Sequence, residues 1–261
     1  MDKASIGGVL LAVVGILAGL LLEGGNVGQI LQPTAALIVF GGTLGAVLLQ
    51  FPLETVSDAL GRLSRIFTAG RKKKDETTQT LVEFANKARR NGVVSLDADL
   101  ASIQDLFLQR ALMLAVDGTE PGELRKIMRV SMDSAAEAEE RFPAVFESAG
   151  GFSPTIGILG AVLGLIQVMQ HLDNIQEVGN GIAVAFVATI YGVGAANLFF
   201  LPFAGKMRLQ IREDQQHREM ILEGVISILE GMNPRMLQIK LAGFVSTAAA
   251  NKRPKRKARA A

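Results

Sequence analysis

The sequence predicts an all-α integral membrane protein with four transmembrane helices and a cytoplasmic helical domain. The first observation is that four stretches lack Asp, Glu, Lys, Arg and His, namely residues 4–22, 27–53, 148–170 and 178–205. Each has at least 19 residues, close to the ~20 that an α-helix needs to cross a ~30 Å hydrocarbon core. The second is that nearly all basic residues lie in the two long polar segments between and after these stretches.

The first two predicted spans form a short hairpin. Residues 4–22 could pass for a signal peptide, but their apolar run is too long for one and no small-residue cleavage pattern follows. We therefore expect this span to be retained. Residues 23–26, rich in Gly and Asn, lead to the second span, residues 27–53, which Pro52 closes.

The polar segments are predicted to be helical as well. Residues 53–67 form an amphipathic helix, and Leu81, Ala85 and Ala88 recur at helical spacing within residues 78–90. The same spacing recurs in residues 103–116, where it includes Leu106. A turn that ends at Pro121 then starts a helix with no firm stop before the third span. The fourth span likewise continues to a stop at residues 231–234, so two long helical hairpins are expected above a cytoplasmic bundle.

The basic residues predict the orientation in the membrane. The connections after the first and third spans contain none of the 27 Lys and Arg, whereas residues 54–147 contain 14 and residues 206–261 contain 12. By the positive-inside rule, both termini and both polar segments are cytoplasmic. The predicted division is residues 1–53 (spans one and two), 54–147 (cytoplasmic helical domain), 148–205 (spans three and four) and 206–261 (helical extension and basic tail).

The C-terminal segment is the most basic part of the chain. Residues 206–261 hold 12 basic and 5 acidic residues, and the basic excess is concentrated in residues 252–259. Such a tail either contacts anionic membrane lipid at the inner leaflet or stays solvated, and the sequence favours neither. Nucleic acid is not predicted as a partner.

No catalytic or cofactor constellation is present in the sequence. There is no cysteine, the two histidines fall on opposite sides of the predicted membrane, and the motifs HExxH, GxSxG and GxxxxGK are absent. We therefore predict no enzyme, cofactor or metal site. The spans also contain no Asp, Glu, Lys, Arg or His, although ion carriers usually place an ionisable residue there. If ions cross beside this chain, the carboxylate that binds them must come from another chain.

Small residues four apart mark three of the spans. They occur at Gly157 and Ala161 in span three, at Ala188 and Gly192 in span four, and at residues 41 and 45 in span two. Such spacing lets helices approach closely. In span two we expect packing within the chain; in spans three and four the added hydroxyls suggest a wall around a narrow pore or a foreign helix.

Long ordered motifs in spans three and four resemble the MotA/PomA family of flagellar motor stator proteins. They are FSPTIGILGAVLGLI at residues 152–166, GIAVAFVATIYG at 181–192 and NLFFLP at 197–202, with further matches at residues 38–45, 88–92, 117–118 and 231–235. The more distant ExbB/TolQ proteins share the features of spans three and four but usually have three spans. An ExbB/TolQ-like energiser of envelope transport and a passive helical scaffold remain the alternatives.

The resemblance implies a motor stator in which five copies surround two copies of a single-span MotB/PomB-type partner. The partner's aspartate binds the ion, and ion flow turns the ring so that the cytoplasmic domain pushes the rotor protein FliG. Pro154 and Pro202 match the two functional prolines of the family. Near the cytoplasmic membrane boundary they either only bend the helices or act as hinges.

The remaining site residues follow from the same resemblance. Thr189 matches a pore-side threonine, and Arg89 and Asp97 match a charged rotor-facing pair, with Arg90 as a rival for Arg89. Asp97 stands where the family usually has Glu. Thr189 and Tyr191 are expected to line the ion route, whereas Asn197 is expected to bond to a neighbouring helix.

Ala161 bears on the identity of the ion. Sodium-driven members of the family generally carry threonine at this position. Alanine removes one oxygen ligand that a desolvated Na⁺ would need, whereas a proton transferred to a carboxylate needs no such cage. Proton coupling is therefore predicted over sodium coupling.

Overall fold

A computed structural model of the chain describes residues 3–66 and 73–246, which are helical almost throughout. Within these residues the helices are α1 (Lys3–Leu22), α2 (Pro33–Gln50), α3 (Leu53–Ile66), α4 (Lys73–Asn91), α5 (Leu106–Val116), α6 (Pro121–Gln170), α7 (Ile175–Leu229) and α8 (Pro234–Ser246). Two 3₁₀ segments, Val27–Gln29 and Val93–Ser102, complete the regular structure of this part of the chain. The predicted all-α class is confirmed.

Four helices, α1, α2, α6 and α7, are long and apolar enough to cross a membrane, which confirms the four predicted spans. The second begins later than the apolar run. Asn26 caps the 3₁₀ turn that follows it, and the side-chain oxygen of Gln29 accepts a hydrogen bond from the backbone N–H of Asn26. Pro33 then occupies the first turn of α2, where its missing N–H costs nothing.

Helices α6 and α7 both continue well beyond their transmembrane parts, as predicted. Pro143 and Pro154 lie inside α6 without ending it. In α7 the residues Ala196–Phe200 form a π-helical turn, in which the N–H of Leu201 donates to the carbonyl of Ala196. Pro202 follows at once, and because it has no N–H and its ring crowds the preceding turn, the hydrogen-bond ladder is shifted there. A second π-helical turn, Leu37–Gly41, lies in α2.

The chain divides into two compact units, one comprising Met1–Ala69 with Glu139–Gln210 and the other Gly70–Ala138 with Ile211–Ala261. These units cut across the predicted division. Helix α3 and residues 139–147 group with the membrane spans and not with the rest of residues 54–147. Charge alone marks where the chain leaves the apolar region, whereas compactness depends on which helices share a core.

The second unit has a core to which α4, α5, α6, α7 and α8 all contribute. Its fully buried side chains include Leu81, Leu112, Met128, Ile226 and Leu241. Ala85 and Ala88 are buried on the predicted face of α4, but Leu106, expected on the apolar face of α5, is 78% exposed. The basic stretch 252–259, for which a lipid contact or a solvated tail was predicted, lies outside the described residues.

Candidate ion-coupling site

The transmembrane parts of α6 and α7 pack along a line of small residues, which we call the glycine seam. It comprises Ser153, Gly157, Gly160 and Gly164 on α6 and Gly181, Ala185, Ala188 and Gly192 on α7. A Cβ atom added to Gly192 would lie 2.6 Å from the carbonyl oxygen of Ser153, and one added to Gly157 would lie 2.8 Å from that of Ala188. No side chain fits at such distances, so only glycine permits this approach.

The seam corrects both expectations about the small residues. Those of spans three and four were expected to face a pore or a foreign helix, yet most of them hold α6 against α7 within the chain. Those of span two were expected to pack within the chain, yet Gly41 and Gly45 are exposed and a Cβ on either would meet no described atom within 4 Å. The reason is that the spacing permits a close approach without selecting the helix that makes it.

Helix α2 covers one side of the α6–α7 hairpin. A Cβ on Gly160 would lie 3.3 Å from Ile38 of α2, and one on Gly42 of α2 would lie 2.9 Å from Ile156 of α6. On α7, Val187 and Ala188 are buried against Ala35 and Val39 of α2 in an apolar cluster. Both long helices therefore turn a second face away from α2.

We call that second face the open face of the hairpin. On α6 it exposes Ile158 and Leu165, and on α7 it exposes Ile182, Phe186 and Val193. Phe186 is 69% exposed, so within a membrane either lipid or another chain covers this side chain. Like the whole of residues 148–170 and 178–205, this face has no Asp, Glu, Lys, Arg or His.

Thr189 and Ala161 both lie on the open face. Thr189 is three residues after Phe186 and four before Val193, and Ala161 has the same relation to Ile158 and Leu165, so each belongs to the exposed stripe of its helix. Both are partly exposed. The hydroxyl of Thr189 donates to the carbonyl of Ala185, 3.2 Å away in its own helix, and keeps its oxygen lone pairs free for a further partner.

The two residues are also level along the hairpin. Gly157, four residues before Ala161, faces Ala188 and Gly192, whereas Gly164, three residues after it, faces Gly181 and Ala185. Ala161 therefore stands opposite the turn of α7 that ends in Thr189. The structure brings these two predicted pathway residues to one place.

Tyr191 has a different environment from Thr189. Two residues further along an α-helix is a rotation of about 200°, so its side chain points to the α2 side of the hairpin. The phenol donates a 2.5 Å hydrogen bond to the carbonyl of Ile30 and accepts one of 3.3 Å from the N–H of Gln32. The N–H of Gln32 also donates to the carbonyl of Ile30 at 3.1 Å, so the phenol joins a backbone turn just before α2 to the hairpin. This geometry favours a positioning role for Tyr191 over lining the ion route.

The other polar and kinked positions of α7 and α6 have local explanations. The amide of Asn197 donates to the carbonyl of Val193 in the same helix at 2.9 Å, so the expected bond to a neighbouring helix was wrong. Pro202 is exposed directly after the π-helical turn, and Pro154 is partly buried next to the seam residue Ser153. Their role as hinges stays a prediction.

The predicted rotor-facing residues lie around one turn of the second unit. Arg89 and Arg90 end α4, Gly92 turns the chain with φ +80°, and Asp97 lies in the following 3₁₀ segment. All three charged side chains are exposed, and none forms an ion pair with another described residue. The neighbouring Lys87 and Asp99, by contrast, bond to each other at 2.6 Å. The turn is thus held internally while three charges stay available.

Two family models match the chain: the motility protein A N-terminal model over residues 6–92 and the MotA/TolQ/ExbB proton channel family over residues 99–220. Motility protein A of Bacillus subtilis is 35% identical over 94% of this chain and 91% of its own length. The chain belongs to the motility protein A family. Solved structures of C. jejuni MotAB and of the B. subtilis flagellar MotAB stator complex match with TM-scores of 0.88 and 0.87 and identities of 32% and 34%. The match with C. jejuni MotAB covers 94% of this chain and 96% of that chain, and the match with the B. subtilis complex covers 96% and 99%.

Membership of the motility protein A family makes the chain a multi-pass inner-membrane subunit of a flagellar motor stator. The match over residues 6–92 includes the two N-terminal spans, so the ExbB/TolQ-like alternative is not favoured. The relatives are motor subunits, a role without an enzymatic reaction.

Two groups of charged residues in this chain were not predicted from its sequence. Arg208 of α7 bonds to Glu140 and Glu147 of α6, and its only sequence signal is the seven-residue spacing of the two glutamates. Asp105 caps α5 through the N–H groups of Phe107 and Leu108. The carboxylate of Asp105 also lies 3.6 Å from Nε2 of His217, a ring otherwise without a hydrogen-bond partner among the described residues. His217 first of all, and then the two backbone N–H groups, lower the pKa of Asp105 against the opposing effect of burial.

Proposed function

We propose that the chain, together with a single-span MotB/PomB-type subunit, couples proton flow across the inner membrane to torque on the flagellar rotor. The observation that carries this proposal is the open face, which is apolar, unpartnered by the described residues and bears the hydroxyl of Thr189 but no acid. A proton cannot be held there by the chain itself, so the carboxylate must be supplied by the helix that covers this face.

The assembly follows from the same face. Solved relatives are MotAB complexes, and the resemblance points to five copies of this chain around two copies of the single-span partner. Each copy would present Thr189 and Ala161 to the partner's aspartate in turn. The exposed apolar side chains, among them Phe186 and Ile158, are then the contact surface for the partner helix, and other exposed sides of the spans meet membrane lipid.

The orientation proposed from the basic residues puts both termini and both polar segments in the cytoplasm. There the exposed Arg89, Arg90 and Asp97 would meet charged groups of the rotor protein FliG. Charge reversal distinguishes the two arginines: Arg89→Glu should abolish swimming, whereas Arg90→Glu should only slow it. The opposite ranking would assign the contact to Arg90. Neither change should alter stability, since both side chains are exposed and unpaired in the described part of the chain.

Pro154 and Pro202 are proposed as the points at which movement of the hairpin passes to the cytoplasm. Each removes one backbone hydrogen bond from a helix that otherwise continues on both sides of it. The π-helical turn before Pro202 supports this role, because such turns concentrate at functional sites. Pro202→Leu should therefore reduce torque while the protein still inserts and assembles.

Ala161 supports proton over sodium coupling, because the position opposite Thr189 offers no second hydroxyl. The test is the swimming speed of a motile host that lacks its own stator and carries this chain with its single-span partner. Replacing Na⁺ by K⁺ should leave the speed unchanged. Loss of motility without Na⁺ would refute proton coupling, and failure to swim in either salt would refute the stator function.

A further inference from the structure

A charged cluster ties α6 to α7 just beyond the transmembrane seam. The guanidinium of Arg208 bonds to both carboxylate oxygens of Glu147, at 2.9 Å from Nη1 and 2.5 Å from Nη2. Its Nε bonds at 2.5 Å to Glu140, which lies seven residues earlier on α6 and hence on the same face. The planar guanidinium of Arg208 therefore bonds to three carboxylate oxygens, two of Glu147 and one of Glu140. Lysine cannot reproduce this arrangement.

The cluster lies next to an apolar core within the same compact unit, to which α3, α6 and α7 contribute every buried side chain except that of Val47 of α2. Phe142, Phe146 and Ala149 of α6 are buried together with Val56 and Ala59 of α3 and with Ala204 and Met207 of α7. The ring of Phe146 meets Phe203 edge-on at 6.1 Å. Arg62 of α3 pairs with Glu139 and stacks 3.7 Å above the ring of Phe142. Packing as well as charge therefore joins α3, α6 and α7 in this region, and we call the charged cluster together with this core the collar.

The position of the collar relative to the prolines matters most. Pro154 lies seven residues after Glu147 on α6, and Pro202 lies six residues before Arg208 on α7. Each helix therefore has a weakened point about two turns on the membrane side of the cluster. Without a tie, the two helices could bend independently at these points.

We propose that Arg208 is a positioning residue that joins the two long helices beyond Pro154 and Pro202, so that movement of the hairpin reaches both helices as one body. The inference deepens the proposed stator function and rests on it. The three side chains are between one third and one half exposed, so the ion pairs add little to folding stability. Their effect is on the stiffness of the connection, which matters when the motor works against a load.

The first test compares Arg208→Ala with Arg208→Lys in the stator-deficient host that carries the full chain and its partner. Single-motor bead assays should show stall torque at least twofold lower for Arg208→Ala, with speed at low load and proton flux close to the parent. Arg208→Lys should fall between the two, because it keeps the charge but loses the fork. Arg212→Ala is the matched control: Arg212 lies four residues further on α7, is exposed and pairs with no described residue. An Arg208→Ala motor with the parent's stall torque would overturn the proposal.

A second variant tests whether a link between α6 and α7 without charge can replace the ion pairs of Arg208. The chain has no cysteine, so Glu147→Cys with Arg208→Cys introduces a single reactive pair. Stall torque should be low before treatment and should return to the parent level after joining with a short bis-maleimide. If the joined protein stays weak, the connection is not what Arg208 provides and the proposal fails. Failure of the stator function itself would look different, since the unaltered chain would then not restore swimming.

Discussion

The glycine seam of α6 and α7 and the pair Gly41 and Gly45 of α2 have the same sequence pattern and opposite environments. Gly157 and Gly192 meet backbone atoms of the facing helix, whereas Gly41 and Gly45 of α2 meet nothing among the described residues. This difference shows that small residues four apart permit a close approach between helices but do not specify which helix makes it. Which pair of helices uses it depends on the flanking side chains, such as Ser153, which donates across the seam to the carbonyl of Gly192.

The largest expected effect comes from filling the seam. Gly192→Val would place a side chain 2.6 Å from one backbone oxygen and 3.0 Å from the Cα of Gly157, and a backbone cannot move aside as a side chain can. Overpacking costs about 1–3 kcal/mol or more, and we expect the upper part of this range. Thermal unfolding in detergent should show a markedly lower midpoint, and less protein should reach the membrane.

The matched variant for the seam is Gly45→Val, which adds the same side chain where no described atom lies within 4 Å. Its unfolding midpoint in detergent should equal that of the parent. Equal midpoints for Gly192→Val and Gly45→Val would remove the distinction between the two glycine pairs.

The next effect concerns the α2 side of the hairpin. Tyr191→Phe keeps the ring against Phe40, whose centroid is 5.9 Å away, but removes the phenol from the carbonyl of Ile30 and the N–H of Gln32. These two backbone groups then keep only the 3.1 Å hydrogen bond that joins them to each other. The loss of one intramolecular hydrogen bond costs about 0.5–1.5 kcal/mol. We expect a lower unfolding midpoint with proton flux per assembled stator unchanged. Reduced flux at unchanged stability would instead return Tyr191 to the ion route.

The helices of this protein were predictable from the sequence because long apolar runs and helical spacing are local signals. Residues 4–22 and 178–205 needed only composition, and the continuation of α6 and α7 followed from the lack of a stop signal. The start of α2 was missed by six residues because an apolar sequence does not reveal that Asn26 and Gln29 form a capped turn.

The contacts between helices were not predictable in the same way. The partner of Tyr191 is 161 residues away in the chain, and nothing near Tyr191 identifies it. Thr189 could be assigned to a pathway by resemblance, but the face it occupies depends on where α2 packs. Arg208 was missed because a lone arginine after a span looks like an ordinary positive-inside residue until Glu140 and Glu147 are seen opposite it.

A smaller effect distinguishes two hydroxyls, that of Thr189 on the open face and that of Ser153 in the glycine seam. Thr189→Ala should lower proton flux and torque roughly two- to tenfold, the equivalent of about 0.5–1.5 kcal/mol for one lost hydrogen-bonding group, without changing stability. Ser153→Ala should do the reverse and lower the unfolding midpoint while flux per stator is kept, since its hydroxyl is buried in the seam. Flux in vesicles that contain the partner and melting in detergent measure the two quantities. If both variants changed the same quantity, the open face and the seam would not be functionally distinct.

The smallest expected effect concerns the charge of Asp105. It tests whether charge stabilises the second unit, as close packing stabilises the glycine seam. The folded-state pKa of Asp105 lies below its ordinary value of 3.8, so its ionised form contributes stability that is present above pH 3.8 and is lost as the pH falls further. Asp105→Asn keeps a capping side chain but removes the charge from beside His217 and from the N-terminus of α5, at a cost of about 0.5 kcal/mol. The parent should therefore be slightly more stable than the variant at pH 7, and the difference should shrink as the pH falls below 3.8. Unfolding in detergent at both ends of this range measures it, and a difference that persists at low pH would show that Asp105 acts through packing instead of its charge.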